Sequence, residues 1–361
     1  MIVHILYTTK IKLQLVYFIS ILLLLSSCAE HETVKPTEIE FNYIPDESRI
    51  EVLYDGELFT AYMYTDELTK PVLMPLNTHD LKPLTRGFPL EPRTGERVDH
   101  PHQIGHWLNY GNVNGLDFWN NPGNATGQGR DDYGFIEHGD LFRMESGNGK
   151  GELVVSAMWK NYRDEVILRE NTTFVFSYSG DTRIIDRVTT LTAETGDVLF
   201  TDDKEGMIAI RVARELEMPV DGSPMIVGQD GEPVEAGADY HSGSTGNYLS
   251  SEGLTGNDVW GKRAGWMVLN GTIDGNPVAL AMIDHPENTG YPTYWHARGY
   301  GLFSANPLGQ AAFSEGAEEL NMNLPHRESV TFRYRILVHS GSNLSAQEID
   351  EFAEEFKQHI L

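Results

Sequence analysis

The stretch Val-Thr-Phe-Arg-Tyr-Arg-Ile-Leu-Val at residues 330–338 alternates apolar and polar side chains over most of its length. Successive side chains of a β-strand point to opposite faces, so this alternation predicts a half-buried strand. The apolar face would carry Val330, Phe332, Tyr334, Ile336 and Val338, and the polar face Thr331, Arg333 and Arg335. Phe174, Phe176 and Tyr178 repeat the same pattern.

Further short segments with strand-like composition run through the chain. They lie at 50–54, 58–64, 151–159, 165–170, 182–192, 206–211, 264–270 and 277–283. Turn pairs such as Asp55-Gly56 and Asp274-Gly275 separate them, among 35 glycines and 17 prolines. Many short strands divided by turns predict an all-β fold, which we expect to be one large antiparallel β-sandwich over residues 39–361.

Helix is scarce in the sequence, and the clearest candidate is C-terminal. Ser345 and Glu348 have the spacing of a capping box, and Ile349, Phe352 and Phe356 follow at helical intervals. The glycine-rich and acidic stretch 215–257 lacks such periodicity and is predicted to be a long loop, with a lid as one interpretation.

The N-terminal residues predict the cellular location. Lys10 and Lys12 precede the apolar run 15–25, so residues 1–27 are predicted to be a signal peptide. The run ends at Leu-Ser-Ser-Cys, with the small residues and final cysteine of a bacterial lipobox, and Cys28 is the chain's single cysteine. We expect lipidation at Cys28, a tether over 28–38 and a location in the cell envelope. The alternative, an uncleaved anchor, conflicts with the roughly 20 residues of a spanning helix.

The charge excludes several partners. Lysine and arginine number 27 against 53 acidic residues, which gives a formal charge of −26. A broad basic surface for DNA, RNA or anionic lipid is therefore not expected, and the predicted membrane contact is the lipid anchor alone. No internal disulfide is expected either, because the one cysteine is predicted to be lipidated.

Histidines are the main chemical signal. His100, His102 and His106 fall within seven residues, and His138, His285 and His296 follow later. Imidazole titrates near neutral pH, so histidines that converge in space would supply proton-transfer groups or metal ligands. In a straight strand His100 and His106 would lie roughly 20 Å apart, so one metal ion could bind all three only if the chain bends at Gly105. No cofactor is firmly implied, and a divalent metal stays a candidate.

Aromatic side chains beside amides and carboxylates favour a sugar-like ligand, because pyranose rings offer C–H faces and hydroxyl edges. The predicted catalytic residues are His100, His102, Glu137, His138, Asp284 and His285. The predicted substrate-binding residues are His106, Trp107, Asn109, Asn112, Asp117, Trp119, Trp295, His296 and Arg298. The alternative for each is structural, as a hydrogen-bonded histidine or a core tryptophan.

Four segments carry a resemblance to a known group. Residues 99–102, 111–119, 134–139 and 300–307 resemble the bacterial family labelled "methane oxygenase PmoA-like", over roughly residues 39–338. Many relatives read His-Pro-His-His-Arg-Gly, whereas Gln103 and Ile104 stand here at the fourth and fifth positions. Methane oxidation is not expected, because the membrane subunit of methane monooxygenase consists of spanning helices that the predicted mature chain lacks. The resemblance implies a sandwich of the galactose mutarotase-like type, in which histidines and carboxylates serve a concave sheet face.

These observations predict an exported carbohydrate-active enzyme that cleaves or modifies a glycan or glycoside. Cleavage would proceed by hydrolysis with two carboxylates, or by elimination with a histidine base. Two alternatives stay open, which are a surface lipoprotein that only binds oligosaccharide, and a metal-dependent oxidoreductase.

Overall fold

The structure is a computed structural model that describes residues 37–120, 127–219 and 222–358. The predicted signal peptide, Cys28 and most of the predicted tether lie outside the described residues. Thr37–Leu361 forms one compact unit. None of the helices in the described part of the chain has the length and apolarity needed to cross a membrane.

Strands dominate the described residues. In chain order they are β1 (Glu38–Ile44), β2 (Arg49–Tyr54), β3 (Glu57–Met63), β4 (Val72–Leu73), β5 (His106–Tyr110), β6 (Gly134–Glu145), β7 (Gly147–Asn148), β8 (Lys150–Asn161), β9 (Val166–Ser179), β10 (Thr182–Ala193), β11 (Val198–Phe200), β12 (Gly206–Arg211), β13 (Met225–Val227), β14 (Pro233–Glu235), β15 (Asn247–Ser250), β16 (Trp266–Ile273), β17 (Asn276–Asp284), β18 (Tyr294–Ala297), β19 (Leu302–Asn306), β20 (Met322–Leu324) and β21 (Ser329–Ser340). The α-helices are α1 (Gln310–Phe313) and α2 (Ala346–Gln358).

Two large sheets account for most of these strands. Among the described residues, one sheet has nine strands in the order β18-β19-β12-β5-β4-β3-β2-β1-β7, and the other has eight in the order β15-β16-β17-β21-β10-β9-β8-β6. The pairings within both sheets are antiparallel. The predicted all-β antiparallel sandwich is confirmed.

The main hydrophobic core lies between the two sheets. Phe332, Tyr334, Ile336 and Val338 of β21 are buried in it, together with side chains from both sheets. The alternation that predicts β21 therefore identifies the face that packs inward. Each of these side chains is removed from water, and burial of a large apolar side chain stabilises the fold by about 1.5–3 kcal/mol.

The outer face of the eight-stranded sheet is covered by α2. Ile349 and Phe356 of the helix are buried against Val268, Ala281 and Leu337. At the start of the helix, the Ser345 amide donates to the Glu348 carboxylate at 2.8 Å, so the predicted capping box is present. The predicted C-terminal helix is confirmed through Gln358.

The outer face of the nine-stranded sheet carries a second apolar cluster, which includes Trp107 of β5, Ala209 of β12 and Leu302 of β19. The neighbouring residue His106 points the opposite way, into the sandwich. Segments that connect the strands cross this outer face, and they bring several of the predicted site residues there.

The stretch 215–257 is more ordered than predicted. It contains the β13–β14 hairpin and β15, which joins the eight-stranded sheet as an edge strand. Side chains of the hairpin are mostly exposed, so no apolar alternation marks it in the sequence.

Candidate functional site

A loop from Arg86 to Gly105 leads into β5, and the buried Arg86 side chain makes many of the hydrogen bonds that hold it. The Arg86 guanidinium donates hydrogen bonds to the backbone carbonyls of Arg97, Asp99, His100 and Gln103, at 2.8 to 3.1 Å. A guanidinium offers five N–H donors in a fixed plane, so a single side chain can satisfy a closely turned backbone. Arg86 thereby fixes the positions from which His100 and His102 project.

Asp99 connects this loop to the sheet. Its carboxylate accepts from Arg211 Nη2 at 2.7 Å and from Arg86 Nη1 at 3.1 Å. Burial opposes ionisation of Asp99, but the hydrogen bond from His100 and the charges of Arg211 and Arg86 outweigh it and hold the pKa of Asp99 well below its usual range. Asp99 is therefore an anion at neutral pH.

His100 lies beside that anion. Its Nδ1 is 3.3 Å from Asp99 Oδ1, and its ring stacks on Tyr300 with 5.1 Å between centroids and 3° between planes. The backbone of His100 has φ 45°, a left-handed conformation that costs energy in a non-glycine residue. A carboxylate that accepts from Nδ1–H leaves Nε2 with its lone pair, so His100 is oriented as a general base.

His296 extends from β18 on the same outer face. Its Nδ1 lies 3.1 Å from the Lys204 carbonyl oxygen. Burial and the charges of Lys204 and Arg298 lower the pKa of His296 to about 3, and the charge of His100 contributes, which places the two histidines within electrostatic range. His296 is therefore neutral at pH 7, with Nδ1–H donating to the carbonyl and Nε2 available as an acceptor.

Arg298 adds a positive charge at the solvent side of this group. Its guanidinium lies over the Trp260 ring at 5.3 Å and near Tyr300 at 6.0 Å. The side chain is exposed, and within the described ranges it forms no ion pair with a carboxylate. Such an arginine is a ready partner for an anionic group of a ligand.

His102 lies on the inner side of the loop. Its ring centroid is 5.7 Å from that of His100, and its buried Nε2 has no hydrogen-bond partner among the described residues. Burial, with the charges of Lys70 and His100, lowers the pKa of His102 to about 3. His102 and Lys70 together line a cavity of about 230 Å³.

The structure thus brings together His100, His102, His296 and Arg298 among the predicted site residues. We call these four side chains, with Asp99, Tyr300 and Trp260, the histidine site. The chain bends at Gly105, which has φ 55°, so His106 turns away from the histidine site. Buried between the sheets, His106 places Nδ1 3.1 Å from the Ala209 carbonyl.

Four predicted catalytic residues lie elsewhere. Glu137 pairs with Lys160 at 2.6 Å. His138 contacts the Tyr62 hydroxyl at 3.1 Å and lines another cavity, of about 150 Å³. At the end of β17, the buried Asp284 accepts from Asn288 at 2.7 Å and from the Thr293 amide at 2.9 Å, and burial raises its pKa to about 7.

The fourth, His285, packs edge-on against Phe356 of α2 at 5.1 Å. Among the described residues, its hydrogen bond with Glu287 and its ring contact with Phe356 do not reach the histidine site. The separation follows from the sandwich, because α2 covers the outer face of the opposite sheet. The predicted catalytic histidines His100, His102, His138 and His285 therefore do not lie around one reacting carbon in this arrangement.

The predicted sugar-binding side chains are largely internal. Asn109 accepts from Trp107 Nε1 at 3.0 Å, Trp119 packs at 5.4 Å from Trp107, and Trp295 donates to the Ala264 carbonyl at 3.0 Å. Asp117 accepts from the Trp119 amide at 2.8 Å, which forms a local turn. Asn112 accepts from the Gly115 amide at 3.1 Å, also within a turn.

Several residues of the histidine site were not singled out from the sequence. Asp99 directly precedes His100, and a carboxylate next to a histidine is a signal that could have identified the pair. Tyr300 and Trp260 carry no comparable signal, because each reaches the site only through the fold. Within the described ranges, no group of three or more His, Cys, Asp or Glu side chains is placed to hold a metal ion.

The chain is similar to several proteins of known structure. The GH36 α-galactosidase AgaB from Geobacillus stearothermophilus is 10% identical with a TM-score of 0.41, and the match covers 84% of this chain and 41% of that one. The α-galactosidase from Lactobacillus brevis is also 10% identical with a TM-score of 0.36, covering 85% and 39%. A galactose mutarotase related enzyme from Lactobacillus acidophilus is 9% identical with a TM-score of 0.27, covering 84% and 98%.

This chain therefore spans about two fifths of the two α-galactosidases. Similarities at these identities and TM-scores do not indicate the function of this chain. No curated protein sequence matches the chain. A family model, described as "Family of unknown function (DUF6807)", matches residues 49–354. The chain belongs to this DUF6807 family.

Proposed function

We propose that the protein is a carbohydrate-active enzyme that cleaves a glycosidic bond by elimination, with His100 as the base. The observation that carries the proposal is the Asp99–His100 contact at 3.3 Å together with Arg298, which lies near Tyr300 and has no carboxylate partner among the described residues. An ionised carboxylate that orients an imidazole is a common way to prepare a general base, and a nearby cation stabilises the negative charge that proton removal creates.

The proposed step is an exchange of bonds without oxidation or reduction. His100 Nε2 removes a proton from the substrate carbon next to a carbonyl or carboxyl group, and Arg298 stabilises the resulting enolate. The electron pair then forms a C=C bond as the bond to the glycosidic oxygen breaks. Burial raises the pKa of Tyr300, so its hydroxyl is protonated at neutral pH and can supply the proton for the departing oxygen.

Hydrolysis by two carboxylates has less support. A glycosidase of that kind needs two carboxyl groups about 5 to 9 Å apart that are free to exchange protons or to attack. Asp99 is bound by two arginines. Glu205, whose carboxylate lies 3.9 Å from His296 Nδ1, is paired with Lys204. Neither carboxylate is free for that role, and elimination needs only the imidazole base.

Support for a carbohydrate substrate comes from the side chains around the base. The Trp260 ring is 37% exposed and lies 6.5 Å from the ring of His296. An exposed aromatic face beside hydrogen-bonding groups suits the C–H face and hydroxyl edge of a sugar ring. The resemblance to the PmoA-like family, which implies a galactose mutarotase-like sandwich, also supports the proposal of a carbohydrate substrate.

The experiment is a product analysis with purified protein and a panel of neutral and uronate-containing glycans. We expect uronate-containing glycans to yield products with an ultraviolet-absorbing C=C bond, because their carboxylate can pair with Arg298. New reducing ends without the double bond would replace elimination with hydrolysis. Binding measured by calorimetry without any product would replace the enzyme with a capture protein.

We also propose that the protein is attached to the cell envelope through a lipid on Cys28, on the evidence of the lipobox sequence. Stable anchoring needs two or more acyl chains, and a Cys28→Ser variant lacks the thiol that would carry the lipid. We expect this variant to move from the membrane fraction to the soluble fraction after cell lysis. The matched control is Ser27→Ala, which leaves the cysteine in place. Retention of Cys28→Ser in the membrane fraction would exclude the lipid anchor.

A further inference from the structure

Lys70 carries a buried amine that has no role in the proposed elimination. The residue is 3% exposed, and its Nζ donates to the His102 carbonyl at 2.7 Å and lies 5.3 Å from the centre of the Trp107 ring. Within the described residues it has no carboxylate partner at ion-pair distance. Burial of an unpaired ammonium group is costly, so the neutral amine is favoured.

The pKa of Lys70 reflects this environment. Burial lowers it to about 7, against the opposing charge of Asp117. At neutral pH a much larger fraction of Lys70 than of an ordinary lysine therefore carries a free lone pair on Nζ. For an ordinary lysine with a pKa near 10.4, on the order of one side chain in a thousand or fewer is unprotonated at neutral pH.

A cavity adjoins this amine. It measures about 230 Å³ and is lined on one side by the polar residues Glu67, Thr69, Lys70 and His102. An apolar wall that includes Leu68, Val72, Leu90 and Ile104 forms the rest. At about 30 Å³ for each water molecule, this volume equals roughly seven waters, which is room for a small organic molecule of a few carbon atoms. The apolar wall favours an uncharged ligand.

We propose that Lys70 is a nucleophilic amine that forms an imine with a small uncharged aldehyde or ketone bound in this cavity. A desolvated lysine in an apolar pocket is the arrangement that activates an amine toward carbonyl groups. This site is distinct from the general base His100 and extends the chemistry of the protein beyond glycosidic cleavage.

The reaction balances without an oxidant or reductant. The Nζ lone pair attacks the carbonyl carbon, the C–N bond forms, and a proton from nitrogen passes to the oxygen. The resulting hydroxyl group then leaves as water after a second proton transfer, and a C=N bond remains. His102 lines the same cavity, so its imidazole can relay a proton between nitrogen and oxygen.

The test is reductive trapping of the intact protein with glyceraldehyde and cyanoborohydride at pH 7, followed by peptide mass mapping. We expect Lys70 to be labelled at least about tenfold faster than Lys82, since far more of its amine is unprotonated. Lys82 is a suitable comparison because its hydrogen bond to Asp274 raises its pKa. The labelling rate at Lys70 should level off above pH 7, whereas the rate at Lys82 should continue to rise.

Two variants complete the test. Lys70→Arg keeps a donor for the His102 carbonyl but removes the nucleophile, so the fast label should disappear, while Lys82→Arg should leave it unchanged. Mapping of the wild-type protein decides the matter even if Lys70→Arg fails to fold. A Lys70 that is unlabelled, or labelled no faster than Lys82, would overturn the proposal. Because no glycan is used, this outcome is independent of the elimination assay.

Discussion

Replacement of His100 by alanine is expected to lower kcat for glycan cleavage by about 10²- to 10⁴-fold, the range associated with loss of a general base. The reason is that Asp99 orients Nδ1 of His100 and leaves Nε2 as the proton acceptor. The measurement is the rate of C=C formation with the most active uronate-containing glycan, under saturating conditions. Substrate binding, measured by calorimetry, should change much less than kcat.

A matched control for His100→Ala is His326→Ala. His326 is exposed and lies between β20 and β21, where its Nε2 accepts a hydrogen bond from Arg327. This variant should keep the full rate. Equal turnover by His100→Ala and the wild type would remove His100 from the mechanism, and equal losses in both variants would point to an effect that is not specific to the histidine site.

Replacement of Asp99 by alanine is expected to lower the free energy of unfolding by about 3 kcal/mol. The substitution leaves the buried guanidinium groups of Arg86 and Arg211 without their carboxylate. We place the effect at the lower end of the range for a broken buried ion pair, because the Asp99 side chain is 32% exposed. Urea denaturation at pH 7 measures it, with Asp274→Ala, in an exposed pair with Lys82, as a control that should cost at most about 1 kcal/mol.

The stability difference between the wild type and Asp99→Ala should depend on pH. The pKa of Asp99 is held below its usual range in the folded protein, so ionisation of Asp99 favours folding above the pKa of the unfolded chain, near 3.9. The difference should be constant from pH 8 to about 5 and should shrink as the pH falls further. A difference that grows on acidification would show that the carboxylate does not carry the effect.

The fold could be predicted well where burial on one face leaves a period in the sequence. Residues 330–338 of β21 alternate because one face packs between the sheets, and Ile349 and Phe356 recur because α2 packs on the outer face of the eight-stranded sheet. The β13–β14 hairpin has mostly exposed side chains. Because Val227 is its one buried residue in these two strands, its sequence contains no comparable period.

The candidate site could be predicted only in part. His100 and His102 share it because they are neighbours in one loop, and His296 joins them because β18 lies in the nine-stranded sheet, to which β5 also belongs. His138 and His285 are also histidines, so the sequence predicts them as site residues equally well. In the structure, however, His138 contacts Tyr62 and His285 packs against Phe356 of α2. Residue type alone does not reveal which face of a sandwich a side chain will occupy.

The arrangement around Arg86 has a consequence for how this protein can diversify. In a sheet, backbone hydrogen bonds to the neighbouring strand fix the path of each strand. In this loop, one guanidinium instead donates hydrogen bonds to the carbonyls of four residues. Side chains of that loop that form none of its hydrogen bonds, such as Pro101, are thereby relieved of holding its shape. Substitutions at such a position can then alter the lining of the adjoining cavity while the backbone path is preserved, so relatives with the same scaffold can acquire different specificities.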